Sequence, residues 1–194
     1  MAENILPPII FGVGVFFLGG NATYSDGAVL ADMVGWAREN PADCPVVEYS
    51  TTAYSGTTNV VINGSDWGQP GGLIETTVTG SVAAYSVAVL TMWAKANNGP
   101  GAVPIVLELL ADGAVVAADS TVDPALTADW QEYSRVYSAA TMAAIAGQEM
   151  TIRLGVQPGG PGTQSAFDTV TMVPEPATMA LLGLGGLFLR RRRA

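Results

Sequence analysis

Residues 104–118 read PIVLELLADGAVVAA, two apolar runs joined by Asp112-Gly113. Asp-Gly supplies positive φ at both central positions of a two-residue turn whose twist matches its flanking strands, so the pair predicts a hairpin between 104–111 and 114–118. The surrounding chain follows the same pattern of short runs closed by turn residues. A β-branched run at 59–63 stops at Gly64, and another at 73–79 stops at Gly80. In 84–93, Tyr85, Val87, Val89 and Thr91 alternate with Ser86, Ala88, Leu90 and Met92, the two-residue period of a strand. Residues 130–139 put Tyr133, Arg135 and Tyr137 on one face. Residues 148–156 set Met150, Ile152, Leu154 and Val156 against Glu149, Thr151 and Arg153. Residues 166–172 align Phe167, Thr169 and Thr171 against Asp168, Val170 and Met172. With 23 Gly and 12 Pro in 194 residues, turns outweigh long helices. The expected fold is all-β, two packed antiparallel sheets over 46–172, with room for one helical turn at 141–146 and an irregular Gly/Pro loop at 155–162.

Composition removes much chemistry. The chain has no His and one Cys, Cys44, so it holds no Ser-His-Asp triad, imidazole metal ligand, internal disulfide or multi-thiolate zinc site. Four of its eight basic residues are Arg190, Arg191, Arg192 and Arg193, while all acids but Glu175 precede residue 174. A body this acidic repels phosphate backbones, which argues against nucleic acid as a partner.

Both ends are apolar. Residues 9–20 form an uncharged run of signal-peptide length, and Gly20 and Ala22 suit cleavage after Ala22. The preceding stretch carries Glu3 and no Lys or Arg, so residues 1–22 read either as a signal peptide or as a first strand. At the other end, Val173-Pro174-Glu175-Pro176 is extended because proline fixes φ and restricts the residue before it. An uncharged stretch at 177–189 then meets the four arginines, the pattern of a short transmembrane helix with a cytosolic basic flank. As a helix it spans about 20 Å against about 30 Å of hydrocarbon.

This tail resembles the PEP-CTERM sorting signal of Gram-negative bacteria. Val173, Pro174, Glu175 and Pro176 match the motif and Arg190 to Arg193 match the terminal cluster. The resemblance implies an exosortase as partner, transient anchoring in the inner membrane, and delivery to the cell surface or exopolysaccharide matrix. The body is similar to a galactose-binding-like jelly roll. Asn21-Ala22-Thr23-Tyr24-Ser25 corresponds to its opening, Val106 through Gly113 with Trp130-Gln131-Glu132-Tyr133 to its core strands, and Phe167-Asp168-Thr169-Val170 to its closing strand. The domains are then 1–22 (signal peptide or strand), 23–172 (β-sandwich) and 173–194 (sorting signal).

That resemblance implies a structural calcium held by Asp168, with Asp26 replacing a ligand lost at Ser25. Calcium needs six to eight oxygens. The alternative is that Asp168 accepts backbone hydrogen bonds in a turn, and with one ligand missing this is the favoured reading, so no cofactor is expected. For glycans, Trp67 in the loop GSDWGQPG is the candidate platform, while Trp93 and Trp130 are expected to close the core. Asp129 and Glu132 fall on opposite faces of a strand and make no glycosidase pair. No nucleophile elbow, dinucleotide fingerprint or P-loop is present. The expectation is a non-catalytic exported surface or matrix protein. A carbohydrate-binding module is the alternative, and a glycoside hydrolase a distant third.

Overall fold

The computed structural model describes residues 14–16, 36–38, 47–50, 53–56, 59–63, 72–78, 87–98, 104–157 and 164–174. Asp26, Cys44, Trp67, Glu175, Pro176 and the arginine cluster, with the proposed membrane helix, lie outside them. Among the described residues no helix is long and apolar enough to cross a membrane.

Among the described residues the strands are β1 (Gly14–Phe16), β2 (Ala37–Arg38), β3 (Val47–Ser50), β4 (Asn59–Asn63), β5 (Leu73–Thr77), β6 (Ala88–Asn98), β7 (Ile105–Ala111), β8 (Ala114–Val116), β9 (Ser120–Val122), β10 (Gln131–Tyr137), β11 (Met150–Val156) and β12 (Gln164–Pro174), with one helix, α1 (Ala139–Ala144). They form two antiparallel sheets. A seven-stranded sheet runs β3-β4-β12-β6-β10-β9, with β1 also paired to β12; a five-stranded sheet runs β2-β5-β11-β7-β8. Three residues of the apolar 9–20 run therefore lie in a strand, with Gly14 opposite Met172.

The core lies between the sheets, where alternation places it. Ala88, Leu90, Met92 and Ala94 of β6 are buried against Leu107 and Leu109 of β7 and Met150, Ile152, Leu154 and Val156 of β11. The hairpin forms at Asp112-Gly113, with φ of 46° and 79°, and Ala111 pairs with Ala114. Gly155 has φ of 151°, and a Cβ there would meet the Gly72 carbonyl, which accepts from Val156 N at 3.0 Å. Tyr133 and Tyr137 reach the core with their hydroxyls satisfied: Tyr133 donates to Pro124 O at 3.0 Å and Tyr137 accepts from Leu109 N at 3.2 Å. Burial pushes the Tyr137 phenol up to about 12. Arg135, on the same side of β10, is largely buried as well, and its charge is met by Asp123 at 2.7 Å and by donation to Leu107 O.

Three expectations need correction. The helical turn begins at Ala139, two residues before 141, because Ser138 caps it through Thr141 N. Strand β6 starts at Ala88 and continues past Trp93 to Asn98. The alternation expected across 166–172 breaks at a bulge between Asp168 and Thr171, where Thr169 takes φ of 45°. One extra residue on β12 reverses the faces beyond it. Phe167, Val170 and Met172 therefore share the core, while Asp168 and Thr171 share the opposite face, opposite Trp93 and Thr91.

Candidate functional site

The outer face of the seven-stranded sheet carries the residues that the core does not use. On β6, with Leu90, Met92 and Ala94 turned inward, Val89, Thr91, Trp93 and Lys95 face outward. Register extends this into cross-strand rows. Trp93 lies opposite Asp168 on β12 and Glu132 on β10. Val60 pairs with Phe167, so Asn59 stands beside Asp168 on β4. One step along, Lys95 lies opposite Ala166, and its ammonium sits 4.8 Å from the centre of the Trp130 ring, a cation–π contact.

Across this face comes a strap, residues 53–56, from the connection between β3 and β4. Its anchor is Asp168, which is 2% exposed. Asp168 Oδ2 accepts from Tyr54 N at 2.7 Å and Ser55 N at 3.0 Å, and Oδ1 accepts from Thr169 N at 2.6 Å and Thr169 Oγ1 at 3.1 Å. Burial raises the carboxyl's pKa, and these four donors pull the other way. The strap lays the Tyr54 ring flat on Trp93, with centroids 4.0 Å apart and planes 11° from parallel, and edge-on to Trp130 at 6.0 Å. Tyr54 remains 44% exposed. The result is an aromatic platform open to solvent, with the Lys95 cation beside Trp130 and the Asn97–Gln164 amide pair at the far end of β6.

Trp93 and Trp130 thus do not close the core. Both are half-buried on the outer face, because strand parity sends Trp93 to the side opposite Met92 and Ala94. That parity was the available signal. Tyr54 had none, since its place depends on a carboxylate 114 residues away. Asp168 hydrogen-bonds backbone from a bulge within β12, and in this structure both its oxygens are filled by donors from the strap and from Thr169. Trp67 and Asp26 lie outside the described residues. Of the sorting motif, Val173 and Pro174 are the last residues of β12, paired with Val89 and Ala88.

Two family models match. The PEP-CTERM protein-sorting motif covers residues 173–193, and the HpiC1-like model, described as HpiC1 cyclase, covers residues 18–173. Among curated proteins none matches. Among solved structures, the chain is similar to a cyclase from Fischerella sp. TAU in complex with 4-(1H-indol-3-yl)butan-2-one, at 22% identity and TM-score 0.57, covering 73% of this chain and 85% of that one. It is also similar to a Stig cyclase from the same organism, at 18% identity and TM-score 0.60, covering 84% and 98%. A xylan-binding domain from Paenibacillus barcinonensis matches at 13% identity and TM-score 0.47, covering 78% and 97%. The two cyclase likenesses show the fold, and the family match spans the sandwich from β2 to the penultimate residue of β12. The chain belongs to the HpiC1-like family and carries a PEP-CTERM sorting motif at its C-terminal end.

Proposed function

We propose that this chain is an exported exosortase substrate whose sandwich is a non-catalytic, glycan-binding module of the cell surface or extracellular matrix. The sorting motif supports delivery. The observation that carries the binding reading is the solvent-facing cluster of Tyr54, Trp93 and Trp130 with Lys95 beside it. A pyranose offers an apolar C–H face to an aromatic ring and hydroxyls to its rim, and this face supplies rings with Lys95, Asn97, Glu132 and Gln164 around them. The test is titration of the full chain in detergent against soluble bacterial exopolysaccharide. Tyr54→Ala is expected to weaken binding by about 1–3 kcal/mol, roughly 5- to 150-fold, the worth of one stacked ring. Unchanged binding would remove the platform from the site.

The tail reading has its own test. Val173 and Pro174 are held by β6, so the bond cut by the processing enzyme lies beyond Pro174 in the folded protein. Mass spectrometry of the mature protein from an exosortase-bearing host is expected to find the new C-terminus between Pro174 and Ala177, with Arg190 to Arg193 lost. A surface-exposed protein that keeps its arginines would make the tail a permanent anchor instead.

A second reading is favoured by the buried Asp168, whose raised pKa stands beside two aromatic rings in a member of a family described by a cyclase. In that reading Asp168 gives a proton to a flat apolar substrate laid on Trp93. The binding reading stands ahead of it because each oxygen of Asp168 already accepts two hydrogen bonds, a pattern that favours the ionised form and leaves no room for a transferable proton. Turnover of an indole substrate by the purified chain, abolished in Asp168→Asn, would reverse that order.

A further inference from the structure

Asn59 is fully buried, yet neither Oδ1 nor Nδ2 of its side chain has a hydrogen-bond partner. A buried carboxamide with both ends unmet is expensive, and such groups are rare in folded proteins. Its position is specific. Val60 and Ile62 point into the core, so Asn59 points to the outer face, in the same cross-strand row as Asp168 and Trp93. Among the described residues, the strap that crosses this row is tied to it by two N–H bonds to one carboxylate, the Tyr54 stack on Trp93 and an edge contact to Trp130. Gly56 at its end has φ of 74°, and Tyr54, Ser55 and Gly56 are all exposed.

We infer that Asn59 is the polar anchor of a ligand slot closed by this strap, and that a hydroxylated ring enters by parting Tyr54 from Trp93. The inference rests on the glycan-binding reading and adds its specificity element. The two rings now touch at 4.0 Å. A ring held between them needs about 7–8 Å, two van der Waals layers. Asn59 lies two strands from Trp93 in this row, with Asp168 between them, so a ligand that extends from the rings across Asp168 meets one acceptor and one two-proton donor, which fits a group that both donates and accepts, such as a pair of adjacent sugar hydroxyls. Tyr54 then acts as a jaw, filling the slot when it is empty and covering the ligand when it is full. The orphaned amide is a cost held in the free protein and relieved on binding.

The test is Asn59→Leu, which keeps the branching at Cγ and removes both polar atoms, with Asn59→Val as a second, strand-favouring variant. Full-length variants are compared with wild type by thermal unfolding without ligand and by titration with the exopolysaccharide that wild type binds. The expected result pairs two opposite changes: a melting temperature higher by about 2–4 °C, since the orphaned amide is gone, and an affinity at least 10-fold lower. A lower melting temperature in both variants would show that Asn59 supports the fold, and would overturn the inference. A higher melting temperature with unchanged affinity would overturn it too, leaving the glycan reading standing. Absence of any binding by wild type would overturn that reading and this one with it.

Discussion

The two outer faces of the sandwich are built from the same strand geometry and treat their polar groups in opposite ways. On the five-stranded sheet, the row through β5, β11 and β7 is Glu75, Arg153 and Glu108. Arg153 Nε lies 2.7 Å from Glu75 Oε1, and Nη1 lies 3.4 Å from Glu108 Oε2. Charge meets opposite charge across each strand pair. On the seven-stranded sheet, the matching row is Asn59, Asp168, Trp93 and Glu132. Its carboxylate is spent on the strap and the bulge, its amide is unpaired, and its indole is stacked by Tyr54. A face whose groups satisfy one another has little left with which to recognise a ligand. A face that orders a strap across rings and an orphaned amide keeps that capacity at a cost in stability.

The sharpest way to break this contrast is Asp168→Asn. The side-chain amide can accept only through its oxygen, and its NH2 group would oppose either the two N–H groups of the strap or the Thr169 N–H and hydroxyl at the bulge. With the carboxylate's charge also gone, the expected loss is about 2–4 kcal/mol of unfolding free energy, measured by denaturant titration. Hydrogen exchange at the amides of Tyr54 and Ser55 is expected to quicken far more than exchange in β11. Equal effects at both places would mean that Asp168 supports the whole sandwich and not the strap.

Arg153→Met is the counterpart on the other sheet, and its effect is smaller. The three side chains are partly exposed, between 19% and 32%, so water and salt screen them. Removing the cation is expected to cost about 0.5–1 kcal/mol at low salt, less in high salt, and to leave ligand affinity unchanged. A drop in affinity would mean that the two faces are coupled through the core.

What could be read from the amino acids divides along the same line. The five-stranded sheet is governed by local signals. The Asp112-Gly113 turn needs only positive φ at two successive residues, and β11 alternates from Met150 to Leu154, so hairpin, face and core were all legible. On the other sheet the deciding feature is the bulge at Asp168, which puts Thr169 at a φ that threonine disfavours by itself. The strap bonds that fix Asp168 come from residues more than a hundred positions away, so the bulge was not foreseen, and Val170, Thr171 and Met172 were assigned the wrong faces relative to Phe167 and Asp168. Trp93 was misplaced because an aromatic residue near a strand end reads as core, although its parity with Val89 and Thr91 pointed outward. Tyr54 and Asn59 carry no periodic signal at all. The tail motif was legible in full, because it is a contiguous string. What the string does not reveal is that Val173 and Pro174 also complete β12.

The smallest expected effect is in the pH dependence, where the two best-bonded carboxylates act with opposite sign. Burial raises Asp168 above the ordinary carboxylate value of 3.8, so the folded protein binds this proton more readily than the unfolded chain does. The stability this proton contributes is lost as pH rises through the folded pKa and is gained as pH falls from there towards 3.8. Asp119 is lowered by Ser138 N, with Thr141 Oγ1 adding to it, where it fastens the start of α1. Its contribution is present above 3.8 and is lost as pH falls through its depressed folded value. Acidification is therefore expected to raise stability slightly on the strap side first and to lower it on the α1 side afterwards. Comparing wild type with Asp168→Asn and Asp119→Ala by denaturant titration across this range separates the two. The first variant loses the gain that comes before 3.8, and the second loses the fall that follows. If Asp168→Asn instead tracks wild type through the upper window, the carboxylate is not burdened by its burial, and the strap-bearing face is as self-satisfied as the ion-paired one.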